Sequence, residues 1–360
     1  MEKIIKQPAL FPLSIIIWLI VWGCEDEFGE QHNENNNYSH MAGLFIVNEG
    51  NYGSGNGSVS FLNTQTNKME NELFYTANSR PLGDIPFDIQ FIDGRAIISV
   101  NNAGKVEIVN LEDFSSLHTI SGLSSPRFIE VINPSTAYVS DLESSKITIL
   151  NPSAPYSPAS METGKSTEAM AFDGTYLYAT NWSEFYVQEP NNSLMVIDPF
   201  SQTLVKTITV TKEPNSIVID KNNHLWVLSS GGYMNDTYPA LHKIDPLSLQ
   251  VLQTLEFETK NMAPSNLVMN ASKDSLFFLN SHIYTMSVAD ISLPKKPLIK
   301  SKGRNINSLA IDPEHNDLYF SNALDFQQKG WIIRCKGTGN KLSDSARAGI
   351  GPGNMRFYYP

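Results

Sequence analysis

Cysteine is almost missing from this chain: 360 residues contain two, Cys24 and Cys335. Too few for a disulfide framework or a Cys-pair metal site, they direct attention elsewhere. The seven histidines are scattered, with no His-x-His or His-x-x-x-His pair. No nucleophile elbow, phosphate loop or dinucleotide fingerprint is present, and the glycines of Gly53-Ser-Gly55-Asn-Gly57 are not followed by a helix. Helical periodicity is lacking too: nearly every apolar run is four to six residues long and bounded by Gly, Pro, Asn or Asp, which predicts strands throughout. Basic residues are in deficit, 26 against 37 acidic ones for a net charge of −11, and an acidic surface argues against nucleic acid as a partner.

What the chain has is a repeat. From Pro86 to Asn110 three short runs rich in β-branched residues are separated by Asp93-Gly94 and Asn102-Ala103-Gly104, turn sequences that tolerate positive φ. Such a meander is marginal alone, so further copies are expected to stack on it. The pattern Pro-x-x-apolar-x-apolar recurs at Pro86, Pro126, Pro214, Pro264 and Pro352, and without the proline at Thr167 and Ile306. Seven starts, each 40 to 50 residues after the last, predict an all-β fold: a seven-bladed β-propeller over residues 43–360. The first repeat opens on a second strand, Leu44 to Asn48, and continues through Ser58 to Asn63 and Glu72 to Thr76. Its absent innermost strand is expected from the end of the chain, Met355 to Tyr359, which would close the ring.

The N-terminus reads as a leader. Lys3 and Lys6 precede an apolar run from Ala9 to Trp22 and then Gly23-Cys24. The run is shorter than the roughly 20 apolar residues of a membrane span, and it predicts a lipoprotein signal peptide over residues 1–23, with Cys24 as the lipidated residue and membrane anchor. Trp22 departs from the small residues usual before such a cysteine. Removing 1–23 takes out Lys3, Lys6 and Glu2 and leaves 24 basic and 36 acidic residues. Residues 24–42, acidic and Asn-rich, have little to bury and are expected to form a disordered tether. Cys335, in Trp331-Ile-Ile-Arg-Cys335, reads as a small buried hydrophobe.

In a propeller the loops joining second to third strands open on the same face as those leading into each innermost strand. The candidate ligand-binding residues gather there: Tyr52, Trp182, Phe185, Tyr186, Tyr233, Tyr238 and Tyr284 from the middle loops, with Arg127, Asn215 and Asn261 near the starts of innermost strands. The middle loops of blades 4 and 5 are the longest and hold five of these aromatics. Rings interspersed with amides and charges suit a polar, partly flat organic ligand, whereas exposed aromatics without a partner are costly in water. Mutual packing that caps the channel is the competing account of the same rings.

Leu44-Phe-Ile-Val-Asn48-Glu-Gly-Asn51-Tyr-Gly-Ser, followed by Val-Ser-Phe-Leu, and the ending Gly349-Ile-Gly-Pro-Gly-Asn-Met-Arg-Phe-Tyr resemble the YncE-like surface β-propeller lipoproteins of Bacteroides-type bacteria, a group that includes the vitamin B12-binding protein BtuG. The likeness runs from Gly43 to the C-terminus, and Asn48-Glu-Gly-Asn51 is its most specific part. It implies a lipid-anchored protein of the outer membrane facing the cell exterior, which captures a small-molecule nutrient such as a corrinoid and passes it to a TonB-dependent outer-membrane transporter. No catalytic residue and no cofactor is required by that reading. A lactonase-like hydrolase with a metal at the channel mouth, and a protein-binding scaffold or adhesin, stay open on the same residues.

The leader generates the first testable prediction. Cys24→Ala is expected to leave the chain uncleaved or to release it from membranes; mature protein that still sediments with the membrane fraction after this change would overturn the lipid anchor.

Overall fold

Each repeat folds as an antiparallel meander, and the second shows why. Pro86–Ile92, Arg95–Val100, Lys105–Asn110 and Ser116–Ser121 pair in order from the channel outward. Asp93 and Gly94 both take positive φ, 47° and 71°, the backbone that a tight hairpin between twisted strands requires. Alternation then sends neighbours to opposite interfaces: Ile97 packs toward blade 3 with Ile129 and Val139, whereas Ile98 packs toward blade 1 with Phe45 and Phe61. Both faces are covered, so the second strand is buried almost along its whole length.

In the computed structural model this unit recurs around a ring of seven antiparallel sheets. The structure describes residues 37–360 apart from 155–156, 183–189, 338 and 340. Cys24, Phe185 and Tyr186 lie outside the described residues. Blades 2, 3, 4, 5, 6 and 7 begin at the strands Pro86–Ile92, Pro126–Asn133, Met170–Phe172, Pro214–Ile219, Ser265–Met269 and Ile306–Ile311, as the spacing predicts. Blade 1 is made from both ends of the chain. Its innermost strand, Pro352–Tyr358, pairs antiparallel with Gly43–Asn48, with Leu44 opposite Phe357 and Ile46 opposite Met355.

Three expectations are corrected, and one blade departs from the others. The run Glu72 to Thr76 is not a strand: the outer strand of blade 1 is the short Lys68–Glu70, and the chain then turns at Glu72, φ 59°, into a six-residue helix, Leu73–Asn78. Leu73 and Phe74 are buried by that turn against Leu82 and Phe114, so tertiary packing overrides a β-rich local sequence. Blade 6 has three strands, because Pro294 and Pro297 interrupt the segment that would form its outer edge and only an isolated bridge, Ile283 to Ile299, remains. His282 and Tyr284 belong to a strand, His282–Ser287, since Ser281 at φ 57° turns the hairpin in a single residue. Residues 37–42 belong with the propeller: Tyr38 is buried in edge-on contact with Phe45, Phe61 and Phe114. Cys335 is fully buried between blades 6 and 7 beside Phe320, and burial pushes its thiol up to about 11.

Ring closure generates the second prediction. Deleting Met355 to Pro360 removes the buried Met355, the packed Phe357 and most of the inner partner of Gly43–Asn48, each buried apolar side chain contributing about 2 kcal/mol or more. Thermal denaturation of the truncated chain is expected at least ~5 °C below the full-length protein; a shift within a degree would show that the ring holds without its closing strand.

Candidate functional site

The innermost strands carry polar residues where the rest of the repeat is apolar. Asn215 Nδ2 donates to the Pro264 carbonyl, Asn266 to Asn307, Asn307 to Pro352, and Asn354 to Phe87. Each bond runs from one blade to the next, so these amides stitch the wall of the channel near its mouth. Asp88 adds another link by accepting the Ile129 amide of blade 3, while its carboxylate also takes Arg356 of blade 1 at 3.1 and 3.3 Å.

Within this wall lies a cavity of about 860 Å³. Arg127 stands at its rim. Its guanidinium forks onto Glu168, at 2.6 to 3.1 Å, and lies flat over the Phe87 ring 3.5 Å from the centroid, with the Trp182 ring 5.9 Å away. A charge-assisted fork of this kind is rigid, and the stacked ring beneath it removes further freedom. On the blade 5 side Glu213 accepts the Tyr233 amide and the Ser230 hydroxyl, which holds the long middle loop against the rim. Lys212 pairs with Asp236 at 2.6 Å and Lys260 donates to the Asp236 carbonyl, so that loop is tied at its far side as well. Gly231 and Gly232 turn it at positive φ, and a Cβ on Gly231 would meet the Thr237 carbonyl at 2.7 Å. The result is a fixed loop that leaves Tyr233 89% exposed over the cavity.

Two further carboxyl groups, both half-buried, line the same cavity. Glu49 accepts one bond from Asn307, and desolvation raises its pKa. Glu130 is held in the same state more strongly: burial, opposed by Arg356 and reinforced by Asp88, pushes it up to about 7. Among the described residues no group of three His, Cys, Asp or Glu side chains is arranged to hold a metal ion.

Of the residues singled out from the sequence, the structure brings Arg127, Trp182, Asn215 and Tyr233 together around this cavity. Others stand apart from its lining. Tyr52 is exposed on blade 1; Tyr238 carries the Lys260 ammonium 5.4 Å above its ring; Asn261 is engaged by the Thr259 hydroxyl. Tyr284 is stacked on Phe278 in the core between blades 5 and 6. Sequence reasoning missed Glu49, Glu130, Glu168, Glu213 and Arg356. A signal for some of them existed: Glu130 and Arg356 are charged residues inside innermost strands, both at the variable position between the two apolar residues of the repeat.

A propeller with a closed ring and a polar, aromatic-rimmed channel mouth is the class of protein these features define. The family described as Domain of unknown function (DUF5074) matches residues 42–327, and the chain belongs to that family. No curated protein matches the chain. Among solved structures it is similar to a quinoprotein alcohol dehydrogenase-like protein from Bacteroides thetaiotaomicron, at 12% identity and a TM-score of 0.68 over 90% of this chain and 79% of the other. It is also similar to the propeller domain of Cps50 (Swd1) from Myceliophteria thermophila, at 12% identity and a TM-score of 0.60 over 79% and 94%, and to the dihydro-heme d1 dehydrogenase NirN, at 11% and 0.59 over 87% and 74%. At such identities the likeness carries the fold alone.

The Arg127–Glu168 fork yields the third prediction. Glu168 is only 5% exposed, so Arg127→Met leaves a buried carboxylate without its cation and is expected to cost about 3 kcal/mol in urea denaturation. Adding Glu168→Gln should return most of that loss; a single change that costs nothing would show the pair to be energetically idle.

Proposed function

We propose that this protein is a non-catalytic binding protein that captures a polar, partly planar organic ligand over the mouth of its channel. One observation carries the reading: a cavity of about 860 Å³ that opens between Phe87, Trp182 and Tyr233, with Arg127 and Asn215 on its wall. That volume falls in the range of small-molecule sites, and rigid aromatic surface beside a few fixed polar groups is their usual composition. The blade 5 loop supports it further, since several polar ties hold Tyr233 in water although the ring gains nothing there by itself.

A corrinoid is the first ligand to test. Its flat macrocycle would lie across the aromatic rim, and its amide-bearing edge would meet the polar groups of blades 4 and 5. In the same reading the chain is anchored by lipid at Cys24, works at the outer face of the outer membrane and hands its cargo to a TonB-dependent transporter.

The fourth prediction tests this site. Titration calorimetry with cyanocobalamin is expected to show binding at micromolar protein, and Trp182→Ala combined with Tyr233→Ala should weaken it by ~2 kcal/mol or more, the scale of truncating central aromatic contacts. Absence of heat would remove the corrinoid, and undiminished binding by the double variant would move the site away from these blades.

A further inference from the structure

The cavity has a charge imbalance that its aromatic rim does not reveal. Among the described residues its lining contains four carboxyl groups, Glu49, Glu130, Glu168 and Glu213, against two guanidinium groups, Arg127 and Arg356. Both cations are already committed. Arg127 is taken by Glu168, and Arg356 by Asp88. Glu213 spends its oxygens on the Tyr233 amide and the Ser230 hydroxyl, both neutral donors, and Glu49 has one amide from Asn307 and only a share of the field of Arg127, whose fork is on Glu168. Glu130, half-buried, faces the cavity from the innermost strand of blade 3. The groups facing it are Asp88 from blade 2, Arg356 from blade 1 and the Phe172 amide from blade 4. Of these, Arg356 is shared with Asp88, so no full countercharge is left for Glu130.

From this geometry we infer that the ligand carries a cationic nitrogen and sends it below the aromatic rim toward Glu130, with Glu49 and Glu213 adding favourable potential along the way. The inference rests on the channel mouth being the ligand site, and it replaces the corrinoid, whose periphery is uncharged amide, with a planar amine at that same mouth. A protonated amine supplies what the wall lacks: positive charge, several donors, and a cross-section that passes the rings, whose faces attract cations as well. An anionic ligand would meet guanidinium groups that already have their carboxylates and would add its charge to three acids that have no ion-pair partner of their own. A half-buried carboxyl without a cation of its own is held partly protonated near neutral pH, so arrival of the amine ionises it and releases a proton. Because the folded pKa of Glu130 is raised to about 7, the ionised form that attracts the amine is half present there, grows above that pH and is lost below it. Affinity for a cation therefore rises with pH through that window, the opposite of what protonation of the ligand alone would give.

The fifth prediction uses tryptamine and its neutral amide, N-acetyltryptamine, which share an indole ring and differ in charge. Calorimetry on the full-length protein at pH 8 is expected to show tryptamine binding at least about tenfold more tightly. That preference should shrink at pH 6, and titrations near pH 7 in buffers of different ionisation heat should report proton release on binding. Glu130→Gln, which keeps shape and the Asp88–Arg356 pair, should abolish both the preference and the proton release while N-acetyltryptamine binds as before; a weaker fall is expected for Glu49→Gln. Equal affinities for the two probes, each lost with Trp182→Ala, would overturn the cationic ligand and keep the mouth as the site. A preference that survives Glu130→Gln would overturn the role of that residue, and binding of neither probe would overturn the cationic ligand, while the cyanocobalamin titration separately decides the mouth.

Discussion

Pairing of Pro352–Tyr358 with Gly43–Asn48 is the interaction on which the rest depends. Every blade buries both faces against neighbours, and a row of stacked sheets would leave two apolar faces open at its ends. Closing the row into a ring removes those ends, and making one blade from both termini converts the closure from a packing contact into a hydrogen-bonded ladder. The large aromatic cluster of Tyr38, Phe45, Phe61 and Phe114 sits beside this seam, between blades 1 and 2, where its burial reinforces the junction. Contacts elsewhere in the ring are between blades that the chain already holds in sequence.

Closure also creates the channel, and the channel is an awkward environment. Its wall is made of innermost strands whose inward side chains meet neither a neighbouring blade nor bulk water. The protein resolves this with polar groups that satisfy backbone carbonyls of the next blade, as Asn215, Asn266, Asn307 and Asn354 do. Those amides serve the ring first. Charged groups in the same wall behave differently: the Arg127–Glu168 and Asp88–Arg356 pairs are internally satisfied, whereas Glu49 and Glu130 remain as half-buried acids that the fold alone does not neutralise.

Rigid and adjustable parts divide by blade. Blade 2 has four full strands with short turns, and blade 5 places a long loop on the channel face yet ties it through Glu213, Lys212 and Lys260. Blade 6 dispenses with its outer strand, a loss confined to the rim, where an edge is exposed in every blade and the inner three strands still bury both faces. The tolerance falls at the outside and the polar detail at the inside, which is the arrangement a central binding mouth requires.

The repeat was legible in the sequence because strand alternation and turn chemistry are local: Asp93-Gly94 specifies a hairpin without reference to anything distant, and proline marks the start of an innermost strand five times. Count, order and closure of the blades follow from that grammar. Local pattern misled at Leu73–Asn78, where a β-rich run became a helix because Leu73 and Phe74 found a better burial against Leu82 and Phe114, and at Tyr284, whose ring is spent on Phe278 inside the core. The site was legible only in part. Exposed-loop aromatics pointed to Trp182 and Tyr233, since long loops with large rings stand out in a single segment. Glu49, Glu130 and Arg356 come from blades 1, 3 and 1 again, from opposite ends of the chain, and their meeting is a property of the ring. The sequence by itself determined what each blade would be; only the closed structure decided which side chains face one another across the channel, because charge and burial there depend on partners hundreds of residues away.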